Sequence, residues 1–131
     1  MATLTELVPM LATKDLPETI AFYESLGFAC QSRFEVEGNL VWAYVVRDSA
    51  AVMFTWSPPH DHGPNEDHDH GPALAGSLYF YPDDVDELWA EIGGKAKVLQ
   101  SPGDREYAMR DFSLEDPNGY LLSFGSPLPS T

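Results

Sequence analysis

One phrase occurs twice in this chain: an apolar strand, an aspartate that opens a helix, and a glycine that closes it. In the first half the strand is residues 7–12, the helix opens at Asp15 and runs through Leu26, and Gly27 ends it. In the second half the strand is residues 77–81, the helix opens at Asp84 and runs through Ile92, and Gly93 with Gly94 ends it. The two aspartates, 15 and 84, stand about 69 positions apart, so the chain reads as two copies of one module of roughly 60 residues. A module with one helix cannot cover both faces of its sheet, so two such modules share a core and leave a concave face to fill or to use.

With 131 residues the chain has one domain's worth of sequence, and the modules must share a core rather than fold apart. Hydrophobic residues make up 44% and aromatics 12%, and no run approaches the ~18 apolar residues of a membrane span. The start of the chain, Met1 to Glu6, has no basic cap or apolar segment that would direct export, so a soluble, cytoplasmic protein is expected. Seven basic against 21 acidic residues give a net charge of −14. That balance repels phosphates and argues against nucleic acid or an anionic membrane as partner, while a cation would be drawn in. Cys30 is the single cysteine, so a disulfide within the chain is excluded, and it reads as a small buried side chain.

Local signals set the elements. Asp15 with Glu18 and Asp84 with Glu87 have the form of capping boxes, and Pro17 sits in a first turn where its missing N–H costs nothing. Leu16, Ile20, Tyr23 and Leu26 recur at helical spacing, as do Val85, Leu88, Trp89 and Ile92. Strands are expected at residues 28–36, 40–47 and 51–56 in the first module, and at 96–100, 110–115 and 120–124 in the second. Asp116-Pro117-Asn118-Gly119 reads as a type I turn between the last two. The expected division is module one at 1–57, a linker at 58–72, module two at 73–126 and a tail at 127–131.

The linker carries His60-Asp61-His62 and His68-Asp69-His70 among four prolines. A His-x-His pair can chelate Zn, Ni or Cu, but a catalytic metal needs rigid placement that a Pro- and Gly-rich loop does not supply. His60, His62, His68 and His70 are therefore weak surface metal candidates on a solvated linker. No Gly-x-Ser-x-Gly elbow, P-loop or dinucleotide fingerprint is present.

The run from Val8 to Leu16, with Ala21-Phe22-Tyr23 and Leu26-Gly27-Phe28, resembles the opening of the glyoxalase, bleomycin-resistance and dioxygenase (vicinal oxygen chelate) superfamily. The run from Arg110 to Tyr120 resembles its ending, and the bleomycin-resistance branch in particular. The resemblance implies an α+β fold in which two βαβββ modules form a curved mixed sheet with a cup-shaped cleft, paired across a homodimer. It also makes the linker a segment that can span a dimer whose modules pair between chains. Enzymes of this family hold a divalent metal in the cup with His, Gln or Glu from the first, fourth, fifth and eighth strands. The matching positions here are Val8, Phe54, Ser77 and Ser123, and neither hydrocarbon nor an unionised hydroxyl is a competent ligand. Slipping the register by one brings up Pro9, Met53, Thr55, Leu78, Leu122 and Phe124, which restore no site. No cofactor and no catalytic residue is expected.

In place of a metal the expected cup is aromatic. If Ser77 points inward, alternation sets Tyr79 and Tyr81 beside it and turns Leu78 and Phe80 toward the helices. If Phe54 points inward, Val52 and Trp56 share its face. The resemblance places Trp42 and Tyr79 at positions that touch the drug in resistance proteins. Whether Trp42 with Tyr44 or Val41 with Ala43 faces the cup stays open. Phe34 and Tyr107 complete the expected ligand-binding set from flanking segments. Ala108 stands where resistance proteins have tryptophan, which argues against bleomycin itself as the ligand. The expected function is capture of a small aromatic or cationic compound without a metal. Two alternatives stand beside it: a metal-dependent lyase, isomerase or dioxygenase with non-standard ligands, and a metal-responsive module that uses the histidine loop.

Overall fold

A computed structural model describes residues 2–56 and 77–129. The first module runs β1 (Met10–Thr13), α1 (Leu16–Ser25), β2 (Ala29–Val36), β3 (Asn39–Arg47) and β4 (Ala50–Trp56). The second runs β5 (Ser77–Phe80), α2 (Val85–Ile92), β6 (Lys97–Asp104), β7 (Met109–Glu115) and β8 (Leu121–Pro127). Each forms one four-stranded sheet, ordered β1-β4-β3-β2 and β5-β8-β7-β6. In both, the first strand lies parallel to the last and the remaining pairs are antiparallel. The sheets are therefore mixed, and the twofold repeat seen in the sequence is a twofold repeat of topology.

The N-cap half of both capping boxes is built. The Asp15 carboxylate accepts from the Glu18 amide at 3.0 Å and that of Asp84 from the Glu87 amide at 3.1 Å, each satisfying an N–H that the helix itself cannot. The helix ends differ. Gly27 adopts φ +92, the left-handed stop, whereas Gly93 stays right-handed at φ −59. Gly93 is needed for closeness instead, because a Cβ there would stand 2.7 Å from the Trp89 ring and carbonyl.

Strand boundaries shift where backbone chemistry demands it. The first strand begins at Met10 and not at residue 7, because Pro9 has no N–H to give; its carbonyl accepts from Met53 N at 2.8 Å and opens the ladder. β6 continues past residue 100 to Asp104 through two register shifts, and β8 runs on to Pro127, past the strand end expected at residue 124. The 116–119 turn forms with Gly119 N donating to the Asp116 carbonyl at 3.0 Å.

A single core joins the modules. Leu11, Tyr23, Phe28, Val45 and Phe54 from the first pack in one cluster with Ile92, Phe112, Leu114, Leu122 and Phe124 from the second. The Phe28 and Phe80 rings meet edge to face across the junction, with centroids 6.1 Å apart. Buried polar bonds tie the same junction. The Tyr23 hydroxyl donates to Asp116 Oδ2 at 2.8 Å, and Thr13 Oγ1 donates to Asn118 Oδ1 at 2.7 Å. Because the helix-covered faces share this core, the uncovered faces of the two sheets point away from it.

Candidate ligand-binding faces

Strand pairing decides which side chains lie on the uncovered faces. In the first sheet Leu11, Ala43, Val45, Val52 and Phe54 are buried against α1 and the core. Their neighbours in sequence therefore point the other way, and the register aligns Phe34 with Trp42, Trp42 with Thr55, and Tyr44 with Met53. The question left open by the sequence is thereby answered: Trp42 and Tyr44 share the uncovered face, their rings 6.2 Å apart, and Ala43 is in the core. Phe34, 59% exposed, lies on the same face beside Trp42.

Phe54 and Trp56 do not join them, which corrects the expected facing of the fourth strand. Phe54 is wholly buried with its ring 4.9 Å from that of Tyr23, and Val52 lies beside it in the core. Trp56 follows at the same parity, and its Nε1 donates to the Lys14 carbonyl at 3.2 Å near the start of α1. The reason is volume: α1 lies over this sheet, and a phenyl ring beneath Tyr23 fills space that Met53 or Thr55 would leave poorly packed.

In the second sheet the expected parity is what the structure has. Leu78 and Phe80 turn toward the core, where Phe80, Phe124 and Phe112 stack in series. Tyr79 pairs with Ser123, Ser123 with Ser113, and Asp111 with Gly125, and all lie on the uncovered face. Tyr81, 72% exposed, sits 5.1 Å from the Tyr79 ring.

Asp111 organises this face, and the sequence reading missed it. Its carboxylate is 3% exposed yet fully engaged: Arg105 Nε donates to Oδ1 at 2.8 Å, and the Tyr79 and Tyr107 hydroxyls donate to Oδ2 at 2.8 and 2.6 Å. Burial pushes the Asp111 carboxyl up, but the hydrogen bonds from Arg105, Tyr107 and Tyr79 outweigh it and hold the group below the usual carboxylate range. Burial first, and then the bond to Asp111, raise the Tyr79 phenol above its ordinary value. For Tyr107 the bond to Asp111 leads the upward shift. The available signal was an acid in the middle of an otherwise buried strand, which requires partners.

A cleft of about 770 Å³ opens between the modules, with Phe28, Phe80 and Ile92 among its apolar lining and Asp48, Asp83, Glu87 and Glu91 among its acids. Tyr79 and Tyr81 line it as well, so the cleft borders the second uncovered face. Arg47 crosses part of it, donating to the Leu26 carbonyl at 2.7 Å and to Glu91 at 3.1 Å.

The four positions that the resemblance assigns to a metal do not come together as a donor set on the uncovered faces. Val8 precedes β1, Phe54 is in the core, and Ser77 and Ser123 offer only hydroxyls; Ser123 is hydrogen-bonded to Ser113 at 3.2 Å. Among the described residues no group of three or more His, Cys, Asp or Glu side chains converges on a point. His60, His62, His68 and His70 lie outside the described residues.

Two mixed βαβββ sheets joined through one core, each with its other face uncovered, define a class of paired-module α+β proteins. The chain belongs to the glyoxalase/bleomycin resistance protein/dioxygenase superfamily, whose model matches residues 5–124. No curated protein matches it. Among solved structures it is similar to a bleomycin-binding protein complexed with bleomycin, at 24% identity and TM-score 0.68 over 94% of this chain and 98% of that one. TioX from Micromonospora sp. ML1 is similar at 20% identity and TM-score 0.72, over 95% of this chain and 100% of that one. A bleomycin resistance determinant encoded on the transposon Tn5 is similar at 22% identity and TM-score 0.69, over 95% and 98%. At these identities the likeness is one of fold. No helix among the described residues is long and apolar enough to cross a membrane.

Proposed function

We propose that this protein binds and sequesters a small aromatic or cationic compound, without a metal, in cups completed by a second copy of the chain. The observation that carries this reading is the composition of the uncovered faces. One presents Trp42, Tyr44 and Phe34, the other Tyr79, Tyr81 and Tyr107. Flat rings offer area for stacking, and free ligand falls by stoichiometric capture. The likeness in fold to one protein named for bleomycin binding and another named as a bleomycin resistance determinant supports a resistance-like role. The charge of −14 favours the arrival of cations.

Homodimerisation is part of the proposal. Within one chain the helix-covered sides meet, so a face from one copy is closed by the opposite module's face of another. Titration with a panel of cationic aromatics is expected to quench tryptophan fluorescence, and Trp42→Phe is expected to abolish most of the change. An unaltered signal across a diverse panel overturns the reading. So does elemental analysis that finds about one tightly held transition metal per chain.

A further inference from the structure

The hydrogen bonds around Asp111 have a polarity that bears on what the second face can hold. An ionised carboxylate only accepts, so the two tyrosine hydroxyls that reach Oδ2 must both donate to it. Their protons are thereby committed inward, and the phenol oxygens face a ligand with lone pairs only. The other oxygen, Oδ1, is taken by Arg105, whose Nη2 also donates to the backbone carbonyls of Asp111 and Ser101 at 2.8 and 2.7 Å. Arg105 balances the carboxylate charge, so this spot is close to neutral and draws a partner by hydrogen bonding more than by net charge. The arrangement is built into the backbone as well: a Cβ at Gly125 would overlap the Tyr79 hydroxyl and come within 2.7 Å of Asp111 Cβ. Only glycine lets the ring cross the sheet to reach its acceptor.

We propose that the ligand held against the second module presents an N–H donor, as an amide, amidine or ureido group does, to the hydroxyl oxygens of Tyr79 and Tyr107, with Asp111 as the positioning residue that fixes this preference. The inference rests on the reading of the uncovered faces as ligand surfaces, and it narrows the cationic guest to one recognised by its N–H groups. A cation with no N–H, such as a quaternary ammonium, gains nothing from the two phenol oxygens beyond weak charge attraction.

The test is calorimetric titration of the full-length protein with three naphthalene probes. N-methyl-2-naphthamide and methyl 2-naphthoate differ in shape very little, an N–H in one standing where the other has oxygen. Trimethyl(2-naphthyl)ammonium carries charge and no donor. The amide is expected to bind about tenfold more tightly than the ester, the difference one well-placed hydrogen bond makes. In Tyr79→Phe/Tyr107→Phe, which keeps both rings, the amide and ester are expected to bind alike. In Asp111→Asn the side-chain amide can donate to the phenol oxygens and release their protons toward the ligand, so the preference is expected to shrink or invert. Equal binding of amide and ester to the wild type overturns the inference but leaves the ligand-surface reading standing, as does an amide preference that survives in the double variant. Tightest binding of the ammonium probe likewise overturns it in favour of charge. No binding by any probe removes both.

Discussion

Tyr23 shows how much one side chain can carry here. It is fully buried on α1, its ring contacts Phe22, Phe28 and Phe54, and its hydroxyl reaches Asp116 in the other module. Asp116 is itself buried and spends Oδ1 on the amides of Asn118 and Tyr120, at 2.9 and 2.8 Å. Tyr23→Phe removes one donor and leaves a buried carboxylate oxygen short of a partner, so urea unfolding is expected to show a loss of about 1.5–3 kcal/mol. Helical spacing in the sequence marks Tyr23 as core, but nothing in it reveals a partner 93 positions away. Asp111 gives a pH dependence with a definite sign. Its folded carboxyl lies below the ordinary value of about 3.9, so its contribution to stability is present above that pH and is lost as pH falls through the folded value. Asp111→Asn is expected to flatten this acid limb of the stability profile while lowering stability at pH 7, because Arg105 keeps its charge and loses its partner.

The elements were legible wherever local chemistry fixed them. Both helix starts follow from an aspartate and a glutamate three residues on, and Asp84→Ala is expected to cost about 1 kcal/mol by denaturant unfolding. The two helix-closing glycines need glycine for different reasons, and only the first was readable as a left-handed stop. Gly27→Ala would force an L residue into φ +92 with its Cβ 2.9 Å from Arg47 Nη1, so it is expected to lose more than ~1 kcal/mol. Strand parity was legible in β5, where Leu78 and Phe80 alternate with Ser77 and Tyr79. It was not legible in β4, because Ala51, Met53 and Thr55 are hardly more polar than Val52, Phe54 and Trp56. A strand apolar on both sides carries no parity signal, and a one-residue slip exchanges its faces entirely.

At the scale of the whole molecule, a single core built from both helix-covered sides leaves two aromatic faces turned outward. The proposal that a second copy covers them expects a dimer by sedimentation at micromolar concentration. Trp42→Ala is expected to cut binding of an aromatic probe at least tenfold in the titration while moving urea stability little, since Trp42 is only partly buried. The sequence by itself determined the module repeat, the helix caps and the 116–119 turn. Each of these depends on residues close together in the chain or on the identity of single side chains. Only the tertiary structure decided which face of β4 is core, which glycine is needed for closeness, and that Asp111 gathers Arg105, Tyr79 and Tyr107. Those depend on what lies across a sheet or under a helix, and distance along the chain carries no record of it.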